Sequence, residues 1–315
     1  MYDIIDRVDV HNISLIVALV VLCIIFGSLR GDVFFSSRNL LNIGLAVTIL
    51  GVLAMSQTVV IVAGGLDVSV GSTVGLATVA TAMVAQSSGS AALAVVAGLV
   101  VGTLCGIVNG IIITYGRVNA VIATLGTMAI FRGVAFILSD GQSISIFDEQ
   151  FRFMGNGIVL GFPFPLWILA TTAIVFQIFL SQSIAGRNVY AIGGNPVVAR
   201  FSGIKVNRYK VAIYAMSGFA GGLGGIILAA RTGSGQPISG SQGLELEAIT
   251  AAVLGGCALQ GGRGTIVGAV LGVLIIGVLN NGMILTAVPT FYQLLAKGAL
   301  LILAVLVAEY RLNRA

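Results

Sequence analysis

Long apolar runs, separated by short polar or charged segments, dominate this sequence. An α-helix needs about 20 mostly apolar residues to cross a bilayer. Stretches with at most one charge mark ten candidate spans, which are 13–29, 40–66, two within 68–116, 118–139, one ending near 180, 211–230, a short run ending near 261, 265–285 and 291–308. The pattern predicts an all-α, polytopic transmembrane helix bundle of about ten spans, forming a single domain over residues 1–315.

Composition supports a membrane protein. Hydrophobic residues make up 57% of the chain and charged residues only 9%, against about 25% in an ordinary soluble domain. So few charges cannot cover a soluble fold, which excludes a soluble enzyme, a disordered chain and a nucleic-acid binder. The single His11 precedes the first apolar run and three cysteines lie inside such runs, so neither a metal site nor a disulfide framework is expected.

Lysine and arginine positions orient the bundle through the positive-inside rule. With ten spans and a cytoplasmic N-terminus, ten basic residues fall inside, namely Arg7, Arg117, Arg187, Arg200, Lys205, Arg208, Lys210, Arg263, Arg311 and Arg314. Four fall outside, namely Arg30, Arg38, Arg152 and Arg231. The count predicts that both termini are cytoplasmic. Arg132 and Lys297 lie within spans and are interpreted as snorkelling to the membrane interface, with a role in the solute path as the alternative.

Three further patterns concern packing and chemistry. Glycines recur every four residues in the fourth span, at Gly98, Gly102, Gly106 and Gly110, and small residues at this spacing let helix backbones approach closely. Glu245 and Glu247 stand at the start of a predicted helix, where acids suit the helix dipole. No phosphate-binding loop, Rossmann fingerprint or catalytic triad can be assembled. The chain is therefore predicted to be neither an enzyme nor a binder of ATP or any other cofactor.

The segment 63–72, AGGLDVSVGS, interrupts the apolar background. Its two glycines break the helix, and Asp67 or Ser69 can cap the next one. The alternative is a broken, membrane-embedded stretch that lines a pathway. A neutral solute needs hydrogen-bonding groups, so the candidate pathway residues are Asp67, Asn109, Asn119, Thr124 and Asn281.

A basic loop spans about residues 186–210 and is predicted to be cytoplasmic. Asn195 and Pro196 supply a helix start, and a short helix over 197–204 ends near Gly203. The loop is either an anchor near anionic lipid or a docking element for a cytoplasmic partner. In the second case Arg200 is a charged donor and Phe201 an apolar anchor, and the candidate docking residues are Asn195, Pro196, Ala199, Arg200, Phe201 and Gly203.

Four motifs together carry a family resemblance, and they are GGLDVSVGS, ATLGTMAIFR, AIGGNPVVARFSGI and ELEAITAAVLGGCALQGGRGT. Over about residues 40–308 the chain resembles the ribose-type monosaccharide permeases of bacterial ATP-binding-cassette (ABC) importers. The resemblance implies an inner-membrane location, two permease copies, a cytoplasmic ATPase pair that binds ATP and Mg²⁺, and a periplasmic sugar-binding protein. It also implies that the loop around 195–204 docks on the ATPase. In one departure, Pro196-Val197-Val198 replaces the acid and alanines of the E-A-A-x-x-x-G loop found in related importers, and the Leu-Pro pair is absent.

Two other transport functions stay open on the sequence. A branched-chain amino-acid permease of the same importer class would favour charged or helix-end contacts to its zwitterionic substrate. The Asp within GGLDVSVG favours the sugar branch. A self-sufficient carrier or channel would transport solute without ATP or partner proteins.

Overall fold

The computed structural model describes residues 2–146, 148–238 and 240–312, with side chains described for 11–146, 148–238 and 240–306. Helices dominate the described chain, and they are α1 (Tyr2–Phe34), α2 (Ser37–Val62), α3 (Val70–Ser88), α4 (Ala91–Thr114), α5 (Ala120–Ser139), α6 (Glu149–Asn156), α7 (Phe164–Gln182), α8 (Ile184–Gly194), α9 (Pro196–Phe201), α10 (Val206–Thr232), α11 (Leu244–Leu254), α12 (Ile266–Leu285) and α13 (Thr290–Leu312). Two antiparallel pairs of short strands join β1 (Ile144–Ser145) to β4 (Ser234–Gly235) and β2 (Ile158–Val159) to β3 (Phe162–Pro163).

Eight of the described helices are long and apolar enough to cross a membrane, and they are α1 to α5, α7, α10 and α12. The predicted polytopic helical bundle is confirmed. The eighth predicted run differs, because α11 has 11 residues and is therefore only about 16 Å long, roughly half of a bilayer core. The count of ten spans and the cytoplasmic termini stay predictions, and the side chains of Arg7, Arg311 and Arg314 lie outside the described residues.

Helices α2, α3 and α10 form the centre of the bundle, and each contributes more buried residues than any other described helix. Helix α4 packs along α3 and α10, whereas α11 and α12 pack on α2 and on each other. Helix α13 packs chiefly on α11. The central helices are covered on several sides by neighbours, so their apolar and small residues face protein rather than lipid.

The glycine series in α4 lies against α10. A Cβ atom on Gly102 would overlap backbone atoms of Gly218 and Gly222, and one on Gly106 would overlap the backbone at Tyr214. A Cβ atom on Gly110 would stand 2.8 Å from the Cα of Val211. The two helix backbones therefore approach more closely than side chains would allow.

The two ends of the bundle differ in character. At one end, which we call the basic end, α2 and α4 finish, α5, α10 and α12 begin, and α8 and α9 lie beside them. Seven basic side chains belong to segments at this end, namely Arg117, Arg187, Arg200, Lys205, Arg208, Lys210 and Arg263. At the opposite end, which we call the strand end, lie α6 and the paired strands.

Candidate translocation site and coupling surface

The chain between α2 and α3 is not helical although it is buried inside the bundle. Helix α2 finishes at Val62, and Gly64 adopts a φ of +76°, in the left-handed region that favours glycine. Asp67 and Ser69 are 1% and 0% exposed. Backbone of this kind is tolerated at membrane depth only where other groups satisfy its hydrogen bonds. The segment 63–69, which we call the break, is therefore expected to depend on side chains from neighbouring helices.

Three helices supply those side chains. Gln57 Nε2 on α2 donates to the backbone oxygen of Asp67 at 2.7 Å. Tyr214 Oη on α10 donates to the oxygen of Leu66 at 3.2 Å. The amide of Val68 donates to Thr124 Oγ1 on α5 at 3.2 Å. These contacts satisfy two carbonyl oxygens and one amide of the break.

The side chains of the break continue into a relay of hydrogen bonds that crosses the bundle. Asp67 Oδ1 accepts from Ser69 Oγ at 2.6 Å and from the Ser69 amide at 3.0 Å, and Asp67 Oδ2 accepts from Ser217 Oγ on α10 at 2.7 Å. Asn109 Nδ2 on α4 donates to Ser69 Oγ at 2.7 Å. Thr127 Oγ1 on α5 donates to Asn109 Oδ1 at 2.6 Å. These five residues, which we call the polar relay, connect α10, the break, α4 and α5.

Of the predicted pathway residues, Asp67, Asn109 and Thr124 meet at the break. Asn119 lies elsewhere, since its Oδ1 accepts from the amides of Val121 and Ile122 and caps α5. Asn281 on α12 exchanges two amide hydrogen bonds with Asn39 on α2, at 2.9 and 3.0 Å. The structure therefore joins three of the five candidates and separates two.

The capping interpretation of Asp67 is wrong. Ser69 occupies the N-cap position of α3 and makes no side-chain capping bond. Its hydroxyl instead donates to Asp67. Sequence reasoning also missed Gln57, Ser217 and Tyr214, which bind Asp67 or its neighbour Leu66. Their only sequence signal is that polar side chains stand inside apolar runs.

A cavity of about 820 Å³ lies at the basic end, next to the break. Gly64 and Gly65 line it together with Tyr214, whose hydroxyl binds the oxygen of Leu66. Arg117, Asn119, Arg200 and Lys210 also line this space, which we call the basic-end cavity. Tyr214 therefore contacts both the cavity and Leu66, the residue directly before Asp67.

The predicted docking segment forms a short helix beside this cavity. Asn195 caps α9, its Oδ1 accepting from the amides of Val197 and Val198 at 3.0 and 3.1 Å. The helix covers Pro196–Phe201 and stops before the predicted end at 204, because Gly203 turns the chain at a φ of +83°. Ala199 is 3% exposed, whereas Phe201 is 89% exposed. Arg200 lines the basic-end cavity.

Helix α8 connects this segment to the break through glycine contacts. A Cβ atom on Gly193 would overlap the backbone oxygen of Val62, and one on Gly261 would stand 2.9 Å from the Cα of Gly64. The amide of Gly262 donates to the Val62 oxygen at 2.8 Å. The end of α2, the end of α8 and the loop before α12 thus touch backbone to backbone, with no side chain between them.

Two ion pairs join α11 to the helices on either side of it. Arg132 Nη2 on α5 lies 4.0 Å from Glu245 Oε1, and Lys297 Nζ on α13 lies 2.7 Å from Glu247 Oε1. We call these four residues the ion-pair cluster. The interpretation that Arg132 and Lys297 only snorkel is incomplete, because both side chains face an acid. Glu245 also lies against Gly71 in the first turn of α3, where the helix dipole favours a negative charge.

Comparison with known proteins agrees with this architecture. Residues 39–305 match the family described as the branched-chain amino acid transport system permease component. The ribose import permease protein RbsC of Bacillus subtilis is 42% identical over 90% of this chain and 88% of its own length. RbsC of Escherichia coli K12 is 40% identical over 93% and 92% of the two chains. The L-arabinose permease protein AraH of Azospirillum brasilense is 38% identical over 94% and 88%.

No solved structure matches the chain significantly. The predicted resemblance to ribose-type importer permeases is confirmed, because these relatives are ribose and arabinose ABC permeases. With eight described helices that are able to cross a bilayer, the chain belongs to this family of transport permeases and is a multi-pass protein of the inner membrane.

Proposed function

We propose that this chain is the membrane-spanning permease subunit of an ABC importer for a monosaccharide of the ribose or arabinose kind. The observation that carries the proposal is 38–42% identity, over 90–94% of the chain, to permeases named for those two sugars. The polar relay supports it, because Asp67 is its one acid and its other members carry hydroxyl or amide groups. Such groups suit a neutral, polyhydroxylated solute. The branched-chain amino-acid alternative is not favoured.

The proposed solute path leads toward the break and leaves through the basic-end cavity. The relay lies near the inner ends of several helices, since its member Asn109 is five residues from the end of α4, and Gln57, which binds the break, is five from the end of α2. At 1.5 Å per residue this is about 7–8 Å. A modest movement of Tyr214 and of the break would therefore join the relay to the cavity. In this proposal the basic end faces the cytoplasm.

Energy for uptake is proposed to come from a separate ATPase, which binds ATP and Mg²⁺. The exposed Phe201 is suited to fill an apolar groove on that protein, as buried aromatic anchors do at many interfaces, while Asn195 fixes the start of α9. The glycine contacts of Gly193 with Val62, Gly261 and Gly262 offer a route for movement. A displacement of α9 would move α8 and, through it, the break, because backbones in direct contact cannot shift independently.

A second permease copy is proposed to cover the face formed by α5, α11 and α13. The side chains of Arg132, Glu247 and Lys297 are 22%, 22% and 32% exposed, and lipid chains solvate such charges poorly. A Cβ atom on Gly126, Gly133 or Gly298 would meet no atom within 4 Å, and glycines on an open helix face suit close helix packing. A periplasmic sugar-binding protein is proposed to dock at the strand end.

The proposed function is tested by reconstitution in liposomes. Purified permease, its ATPase and its binding protein should together take up radiolabelled ribose or arabinose only when ATP is supplied, and labelled leucine should not enter. Uptake by the permease alone, driven by a solute or ion gradient, would instead establish a self-sufficient carrier. ATP-dependent uptake of leucine without sugar uptake would establish the amino-acid alternative.

A further inference from the structure

The basic-end cavity carries an unbalanced positive charge. Arg117 lies between α4 and α5, Arg200 on α9 and Lys210 on α10, and all three line the same space of about 820 Å³. None of the 18 lining residues is acidic. Within the part of the chain that the structure describes, none of the three cations forms an ion pair. Three like charges around one cavity raise its potential and favour an anion.

Neutral donors accompany these cations. Asn119 Oδ1 caps α5, which leaves its amide group available, and Asn207 also lines the cavity. The hydroxyl of Thr114, a further lining residue, is buried and has no hydrogen-bond partner. A buried hydroxyl without a partner is unusual enough in a folded protein to require an explanation. Cations and amide or hydroxyl donors together are the groups that bind phosphate oxygens.

We propose that the basic-end cavity binds a phosphate ester, held chiefly by Arg117 and Lys210. A monosaccharide phosphate fits this space better than the free sugar, since a neutral sugar has no charge to balance three cations. A kinase acting on an imported sugar makes such an ester. Its binding beneath the break would hinder movement of Tyr214 and slow further uptake. This regulatory role rests on the proposed transport function, whereas the binding itself does not.

An anionic lipid headgroup offers the same phosphate chemistry from a different source. The cavity lies at the basic end, where such headgroups gather if that end is cytoplasmic. A soluble ester would compete with the lipid for the same cations. The two sources are separated by varying the lipid while keeping the protein constant.

The experiment measures binding to the permease alone, in nanodiscs of pure phosphatidylcholine, by calorimetry. Ribose 5-phosphate should bind, ribose should not, and binding should weaken as salt is raised. Arg117→Gln and Lys210→Gln should each weaken binding about tenfold, as expected for losing one charged partner. Arg208→Gln is the matched control, since Arg208 is an exposed cation near the start of α10 that does not line the cavity, and it should change affinity less than about twofold.

A second set of nanodiscs contains phosphatidylglycerol. Ribose 5-phosphate should bind more weakly there than in pure phosphatidylcholine, both to the unchanged protein and to Arg208→Gln. That result would show that the lipid and the ester compete for one phosphate site. If only phosphatidylglycerol stabilises the protein against heat, and Arg117→Gln abolishes that effect, the phosphate source is the lipid. Absence of both effects, or equal losses in Arg208→Gln, would overturn the proposal. Failure of sugar uptake in liposomes would leave this binding result unaffected, so the two proposals fail separately.

Discussion

Asp67 shows how much a single residue depends on partners distant in sequence. Its carboxylate accepts from Ser69 two residues away and from Ser217 on α10, 150 positions later. Without α10 packed against it, Asp67 would be an acid near the start of a helix whose only side-chain partner is Ser69. Burial matters as much as bonding here, because an unpaired polar group inside the bundle is costly.

Replacing Asp67 tests the relay directly. Asp67→Ala removes the acceptor for two hydroxyls and one amide, so the free energy of unfolding should fall by about 1–3 kcal/mol for each group left unpaired. Asp67→Asn keeps one acceptor oxygen and should fold much better, while uptake should drop if the charge has a role in the path. Thermal unfolding in detergent and liposome uptake are the measurements. Asp32→Ala on the exposed part of α1 is the control, and equal stability of all three variants would contradict the relay.

Asn281 is predicted to hold helices together rather than to contact solute. Its two hydrogen bonds with Asn39 join α12 to α2. Asn281→Ala and Asn39→Ala should each lower stability by about 1–2 kcal/mol, and the double variant should cost clearly less than their sum. Uptake per folded molecule should stay normal. A large loss of uptake at unchanged stability would instead show that Asn281 contacts the solute.

At the scale of the helix, close packing and exposure separate two kinds of element. Helices α4 and α10 touch through glycines, so their relative position tolerates no added atom. Helix α9 is six residues long, is capped at its start by Asn195 and presents Phe201 outward. The packing of α4 on α10 therefore fixes the bundle, whereas α9 is available to contact a partner protein.

The packing of α4 on α10 is tested by one methyl group. Gly106→Ala should lower the free energy of unfolding by about 1–3 kcal/mol, because the new Cβ would overlap the backbone at Tyr214. Gly31→Ala is the control, since a Cβ there meets no atom within 4 Å. Equal thermal unfolding of both variants would show that α4 and α10 can separate without cost.

The role of α9 is tested through Phe201. Phe201→Ala should leave the melting temperature unchanged, because the ring is almost fully exposed, but should release the ATPase during co-purification. Phe291→Ala removes an equally exposed ring from α13 and should not affect the ATPase. If ATPase association and sugar-stimulated hydrolysis survive in Phe201→Ala, the ATPase docks elsewhere on the basic end.

For the molecule as a whole, α11 is the element that ties separate parts together. It is too short to span a bilayer, yet it packs on α2, α12 and α13 and carries both acids of the ion-pair cluster. Helix α13 depends on it most. The cluster therefore fixes the position of α13, and with it the face assigned to the second permease copy.

Exchanging the two charges tests the ion pair between Lys297 and Glu247. Lys297→Glu places two acids side by side and should destabilise the protein by about 1–3 kcal/mol, since the pair is only partly buried. The double exchange Lys297→Glu with Glu247→Lys should recover most of that loss. Thermal unfolding and chemical crosslinking of the two permease copies are the measurements. A double variant no more stable than Lys297→Glu alone would show that the charges act separately.

The class of this protein follows from its sequence without any structure. Long apolar runs and 9% charge predict a helical membrane bundle, because hydrocarbon selects for apolar residues and closed backbone hydrogen bonding. The short helix after Asn195 and the break at Gly64 were also predictable, since proline, asparagine and glycine act on the local backbone. Local rules failed on where such segments stop, as at Gly203, and on which residue caps α3, since Ser69 and not Asp67 occupies the N-cap position.

Which distant residues meet depends on how the helices pack. Asn109 and Asn281 have the same side chain within apolar runs, yet one joins the polar relay and the other pairs with Asn39. The pairing of Arg132 with Glu245 and of Lys297 with Glu247 depends on where tertiary packing places α11 relative to α5 and α13. Spacing along one helix places a residue on a face, but only the packing of several helices determines what that face contacts.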